Sequence, residues 1–145
     1  MKLTLATIRN WFVRIRRYGV RNAFILKCFL RKDRLFRFRH LGCDIWLRGR
    51  NVDFYVFESI FGKGEYDFDP GFKPEFMIDA GAFTGLSAIW FHRKYPGLKI
   101  IAIEPEESNF ALLERNTGSF KNIVPVRGVK LLRVLQEREI ERLGG

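Results

Sequence analysis

Residues 75–105 read EFMIDAGAFTGLSAIWFHRKYPGLKIIAIEP, and the placing of the acids and glycines in this stretch decides the fold. A short apolar run stops at Asp79 and at a turn that holds Gly81 and Gly85. TGLSAIWFHRKYPG then has helical spacing, stopped by Pro96 and Gly97. LKIIAIEP is β-branched and reads as a strand buried on both faces, ending at Glu104 and Pro105. The cycle repeats, with EESNFALLERNTGSF helical, NIVPVRG a third strand and VKLLRVLQEREIERLGG a last helix. Strands and helices in alternation predict α/β architecture with an open parallel sheet, the Rossmann-like class.

Ligands of such sheets bind beyond the carboxyl ends of the strands. Asp79 and Glu104 close the first two strands and face one crevice. Gly81 and Gly85 remove side chains from the turn, which lets a ligand approach the backbone. An acid about 20 residues beyond such a turn can accept hydrogen bonds from two ribose hydroxyls, so a nucleoside-containing cofactor is implied. A dinucleotide fingerprint would need glycine at positions 83 and 86, where the chain has Phe83 and Leu86. Asp79, two residues before the first glycine, is a poor neighbour for pyrophosphate and a good one for a cation. S-adenosylmethionine carries a sulfonium, an ammonium and a ribose without phosphate, and suits this loop better than NAD.

FMIDAGAFTGLSAIWFHRKYPGLKIIAIEPEESNFALLERN resembles the start of the FkbM family of S-adenosylmethionine-dependent methyltransferases. The likeness rests on Asp79-Ala80-Gly81-Ala82 with Gly85, on Tyr95-Pro96, on Glu104-Pro105 and on the Leu113…Asn116 tail. Upstream, LRGRNVDFYVFESIFGKGEYDF is similar to the family's lead-in, where an Arg, an Asp and a helix precede the loop; the whole resemblance spans residues 45–128. The resemblance implies S-adenosylmethionine as cofactor, with Asp79, Ala80, Gly81, Ala82, Gly85, Glu104 and Pro105 at its site. It further implies O-methylation of a hydroxyl on a sugar or secondary metabolite. The family usually has Asn at position 83, where this chain has Phe83.

Past Gly128 the family's sheet would continue, whereas here one charged helix follows, so the expectation is a truncated half-domain. A catalytically inactive remnant or binding module of the same family is the alternative, and a nicotinamide-dependent oxidoreductase a second alternative. Truncation would leave one edge of FMID open beside Phe76 and Ile78, which predicts self-association. No Ser–His–Asp set, paired carboxylates or metal-ligand cluster is visible, so no catalytic residue or metal is assigned. His40 and His92 lack a partner at a readable spacing, and Trp46 and Trp90 lie on apolar faces as core.

The lead-in, residues 1–70, is a separate region from the cofactor-binding residues 71–145. Residues 1–50 hold fourteen of the 26 Lys and Arg against two of the 16 acids, giving +12, and the remainder gives −2. Leu5, Ile8, Phe12 and Ile15 recur at helical spacing up to Gly19, and VRNAFILKCFLRKD reads as a second helix. RLFRFRHLGCDIWLRG alternates like a hairpin turning near Leu41 and Gly42, and Asn51 is placed to cap VDFYVFESIF with Asp53 in its first turn. Trp11, Phe12 and Ile15 among arginines give residues 5–18 the make-up of a segment that docks on anionic membrane. A solvated basic face competes with that reading; no nucleic-acid module is present, and no nucleic acid is expected. No apolar run approaches the roughly 20 residues of a membrane span. Arg9 and Arg14 interrupt any secretory signal, so a cytoplasmic protein is expected, peripheral to the membrane if residues 5–18 dock. Cys28 and Cys43 are too few for a disulfide framework.

Overall fold

The computed structural model describes residues 12–13, 15–16, 18–21, 23–25, 34–40, 42–49 and 52–128, without the side chains of Phe38 and His40. Trp11, Arg14, Arg17, Leu41, Asn51 and the expected last helix after Gly128 lie outside the described residues. The chain divides into two compact units, one through Gly62 and one from Lys63.

In the first unit the described positions between 12 and 25 are helical. Gly19, expected to end a helix, has φ +78°. Phe12 is exposed and Tyr18 and Ala23 are buried. The hairpin is as expected. Strand β1 (Leu35–His40) pairs antiparallel with β2 (Cys43–Arg48), with Phe36 opposite Leu47 and Phe38 opposite Ile45. That alternation puts Phe36, Ile45 and Leu47 in the core. Two residues connect the strands, with Gly42 at φ +82°.

Helix α1 (Asp53–Phe57) widens into a π-helical turn at Glu58–Gly62, where a single helix was expected. Its N-cap position is Val52, which makes no side-chain cap. Asp53 is fully buried and reaches back to the end of β2 instead. Its Oδ2 accepts from the Arg48 backbone N–H at 2.8 Å and from Arg48 Nε at 3.0 Å, and its Oδ1 accepts from Arg48 Nη2 at 2.8 Å.

The second unit is a parallel sheet of β3 (Phe76–Ala80), β4 (Lys99–Glu104) and β5 (Ile123–Arg127), in the order β3-β4-β5. Helix α2 (Leu86–Lys94) joins the first pair and α3 (Glu107–Thr117) the second. This is one half of a Rossmann-like sheet, as the alternating pattern predicts. Pro125 is tolerated because β5 stands at an edge among the described residues. Both helices pack on β4 and on each other. The core between them and the sheet holds Ala88, Leu98, Ile100, Ala102, Leu113 and Ile123.

Burial of β4 on both faces is the expectation that fails. Ile100, Ala102 and Glu104 are buried, but Ile101 and Ile103 are only partly so. Their neighbours on that face, Phe76, Ile78 and Val124, are exposed. Both crossover helices occupy the other face, so a continuous apolar run does not here signal two covered faces. Trp90, expected in the core, is half-buried; its ring lies 4.8 Å from Lys94 Nζ, which also bonds the Asp67 carboxylate at 2.9 Å. His92 meets Asn122 at 2.8 Å, and burial holds its pKa below the ordinary histidine value.

Candidate functional site

Parallel register sets Asp79 opposite Ala102 and Ala80 opposite Ile103, so Asp79 and Glu104 lie at the carboxyl ends of adjacent strands. The loop between β3 and α2 is closed by its own backbone. The N–H groups of Gly81 and Ala82 both donate to the Ile103 carbonyl at 2.9 Å, and that of Gly85 to the Ala82 carbonyl at 2.8 Å. The Phe83 N–H donates to Glu104 Oε2 at 2.9 Å. Four loop donors are therefore used internally. A phosphate needs such donors turned outward, so this loop is not an anion cradle.

The two glycines serve different ends. Gly81 has φ +83°, and a Cβ added there would meet nothing within 4 Å, so its surface is open to approach. Gly85, at φ +80°, is buried; a Cβ there would lie 2.7 Å from Leu113 Cδ1 and 3.0 Å from Thr117 Cγ2. Its missing side chain makes room for α3 rather than for a ligand.

The three acids differ as well. Asp79 is half-buried, and its Oδ2 accepts from the Ser87 hydroxyl at 2.6 Å. Burial raises its pKa above the usual carboxylate value, and the Ser87 bond pulls it partly back. Glu104 is 5% exposed; beside Phe83 N–H, its Oε1 accepts from the Glu106 N–H at 2.9 Å and from Asn109 Nδ2 at 3.4 Å. A carboxylate has about four acceptor sites, so one remains. Glu106 caps α3, accepting from the N–H groups of Ser108 at 3.0 Å and Asn109 at 2.7 Å. Of the other expected site residues, Ala80 and Pro105 are exposed and Ala82 is buried.

Three further residues belong to this site, of which the sequence marks only Asn116, as the tail of the resembled motif. Ser87 lies in the first turn of α2, two positions after Gly85, and bonds Asp79. Asn116, 2% exposed, donates from Nδ2 to the Thr84 carbonyl at 2.8 Å. Tyr66 packs its ring 5.5 Å from that of Phe91; burial raises its hydroxyl pKa, followed by the negative charges of Asp79 and Glu65. The DxGxxxG spacing before a Ser is a signal for Ser87, and no local pattern marks Tyr66. Among the described residues no group of His, Cys, Asp and Glu could hold a metal, and no helix is long and apolar enough to cross a membrane.

No family model matches the chain. Methyltransferase sdnD of Sordaria araneosa is 37% identical over 62 residues, which are 43% of this chain and 24% of that protein. Methyltransferase 1 of Beauveria bassiana is 34% identical over 62 residues, 43% of this chain and 25% of the relative. The matched stretch is thus about a quarter of the length of either curated relative. Among solved structures, M. jannaschii TYW2 in complex with AdoMet is similar over 66% of this chain and 44% of its own, at TM-score 0.46 and 20% identity. The SAM-dependent methyltransferase from Agrobacterium tumefaciens overlaps 72% of this chain and 36% of its own, at TM-score 0.46 and 12% identity.

Proposed function

We propose that this chain carries the S-adenosylmethionine-binding half of a methyltransferase of FkbM type, acting on a hydroxyl of a sugar or secondary metabolite. The observation that carries the reading is a half-buried carboxylate, Asp79, at the mouth of a loop whose N–H groups at positions 81, 82, 83 and 85 are turned inward. Such a loop has little to offer a phosphate and suits a cation. The sequence likeness to two methyltransferases supports the same reading. The donor set fits the cofactor. Asp79 would take the ammonium of the methionine end, and the free acceptor site of Glu104 would take a ribose hydroxyl. Gly81, open on its outer side, would let the ligand lie against the backbone. Bound S-adenosylmethionine supplies an electrophilic methyl on sulfonium, and the residues here contribute chiefly by positioning it.

Thermal-shift titration tests this directly. S-adenosylmethionine should raise Tm progressively, with the logarithm of its concentration once that exceeds Kd, and NAD should not. Stabilisation by NAD alone, or by neither, overturns the proposal. A chain that binds the cofactor without turnover is the second reading, favoured by β3, which pairs only with β4 among the described residues, and by exposed Phe76 and Ile78. The same edge supports self-association. Methyl transfer from labelled S-adenosylmethionine to a panel of hydroxyl acceptors separates the two readings, and size-exclusion chromatography tests the association. Docking of residues 5–18 on anionic membrane remains part of the proposal, supported by exposed Phe12. Sedimentation with acidic vesicles should then fall steeply with added salt.

A further inference from the structure

The sequence marks Asn116 only as the tail of the resembled motif, yet the structure gives it a specific place. Leu113, Asn116 and Thr117 share one face of α3, and that face meets the loop at Thr84 and Gly85. Asn116 holds the Thr84 carbonyl, while Glu104 holds the Phe83 N–H from the end of β4. Between these two anchors Phe83 has φ +51°, the one non-glycine residue with positive φ among the described residues. A left-handed aromatic residue is disfavoured and persists only where its surroundings over-determine it.

We propose that Asn116 is a positioning residue for the loop: with Glu104 it keeps Phe83 in its left-handed conformation and so fixes the outward shape of residues 79–85. Asn116 is buried beneath the loop and acts on a ligand only through it. The amide is the right group for this place. A carboxylate would set an acceptor against the Thr84 carbonyl, and an apolar side chain would leave that carbonyl unpaired. The consequence for affinity rests on the reading of this loop as an S-adenosylmethionine site; the consequence for loop conformation does not.

The test therefore has two arms, both on the full chain. In the protein without ligand, the Phe83 amide should be protected from hydrogen exchange, and Asn116→Ala should speed its exchange about tenfold with the helical signal retained. By calorimetry, the same variant should bind S-adenosylmethionine about tenfold more weakly. Adding Phe83→Asn, a residue that tolerates the left-handed region, should restore affinity to within about threefold. Phe83→Val, with Asn116 intact, should reproduce the loss, because a β-branched residue resists that conformation. This variant decides the matter even if Asn116→Ala fails to fold. The proposal is overturned if Asn116→Ala exchanges and binds like the parent, if Phe83→Asn rescues nothing, or if Phe83→Val is silent in both arms. If the parent chain binds no S-adenosylmethionine, the functional reading falls and the exchange arm still decides this one.

Discussion

Each unit places a carboxylate where a strand hands over to the following helix, and the two are satisfied in opposite ways. Asp53 in the first unit is fully buried and spends both oxygens on Arg48, across three hydrogen bonds of 2.8–3.0 Å. Asp79 in the second is half-buried, and Ser87 is its one described hydrogen-bond donor. A fully paired buried acid is structure, whereas an acid with acceptor capacity left over, its pKa raised by burial, fits the ligand-binding role proposed for Asp79. Glu104 stands between these cases, nearly buried and held by backbone N–H groups rather than by a cation.

The largest expected effect comes from breaking the first pair. Arg48→Ala should cost about 3–5 kcal/mol of stability, because it strands a buried carboxylate. Urea unfolding measures this. Replacing both partners, as in Arg48→Met with Asp53→Leu, should recover most of the loss, since the pair is worth less than either member left alone. If the double variant is as unstable as the single one, the pair contributes more than mutual compensation.

Asp79→Asn should behave in the opposite way. Ligand affinity is expected to fall by about 1–3 kcal/mol, measured by calorimetry with S-adenosylmethionine. Stability without ligand should rise by a few degrees in Tm at neutral pH. The sign follows from the raised pKa. An acid raised on folding favours the folded state below its unfolded value, and that contribution is lost as pH climbs through the folded one. At about pH 7 the parent therefore carries the cost of an ionised, half-buried group, and the variant does not. Below about pH 4 both are neutral and the gain should vanish. A loss of stability at neutral pH would place Asp79 with Asp53, as structure.

The same contrast explains how much could be read in advance. Alternating apolar runs place β3, α2, β4, α3 and β5 because period-2 and period-3.6 burial is written locally. Asp79 and Glu104 are readable at the strand ends for the same reason. The loop's closure was not, because it depends on partners far apart in sequence: Phe83 with Glu104, 21 residues on, and Thr84 with Asn116, 32 residues on. Gly85 looks like a ligand-facing glycine until Leu113 and Thr117 are seen against it. The one-sided burial of β4 is not legible because a run such as KIIAIE does not say on which face the crossover helices will lie.

The smallest expected effect concerns an atom that the loop leaves over. Thr84 is fully buried, and its hydroxyl makes no hydrogen bond among the described residues. A buried donor without a partner opposes folding, and replacing it with an apolar group of the same shape is near neutral or favourable. Thr84→Val keeps the β-branched shape and leaves the carbonyl that Asn116 holds untouched. It should therefore hold or raise stability by up to about 1 kcal/mol, with S-adenosylmethionine affinity unchanged. Thermal unfolding and calorimetry on one preparation read both. A loss of more than about 1 kcal/mol would mean that the hydroxyl bonds an internal water, since burying such a water satisfies otherwise orphaned polar atoms. A fall in affinity at constant stability would instead carry Thr84 from the loop's scaffold to its ligand-facing side, and Asp79 would no longer be the loop's single ligand-directed side chain.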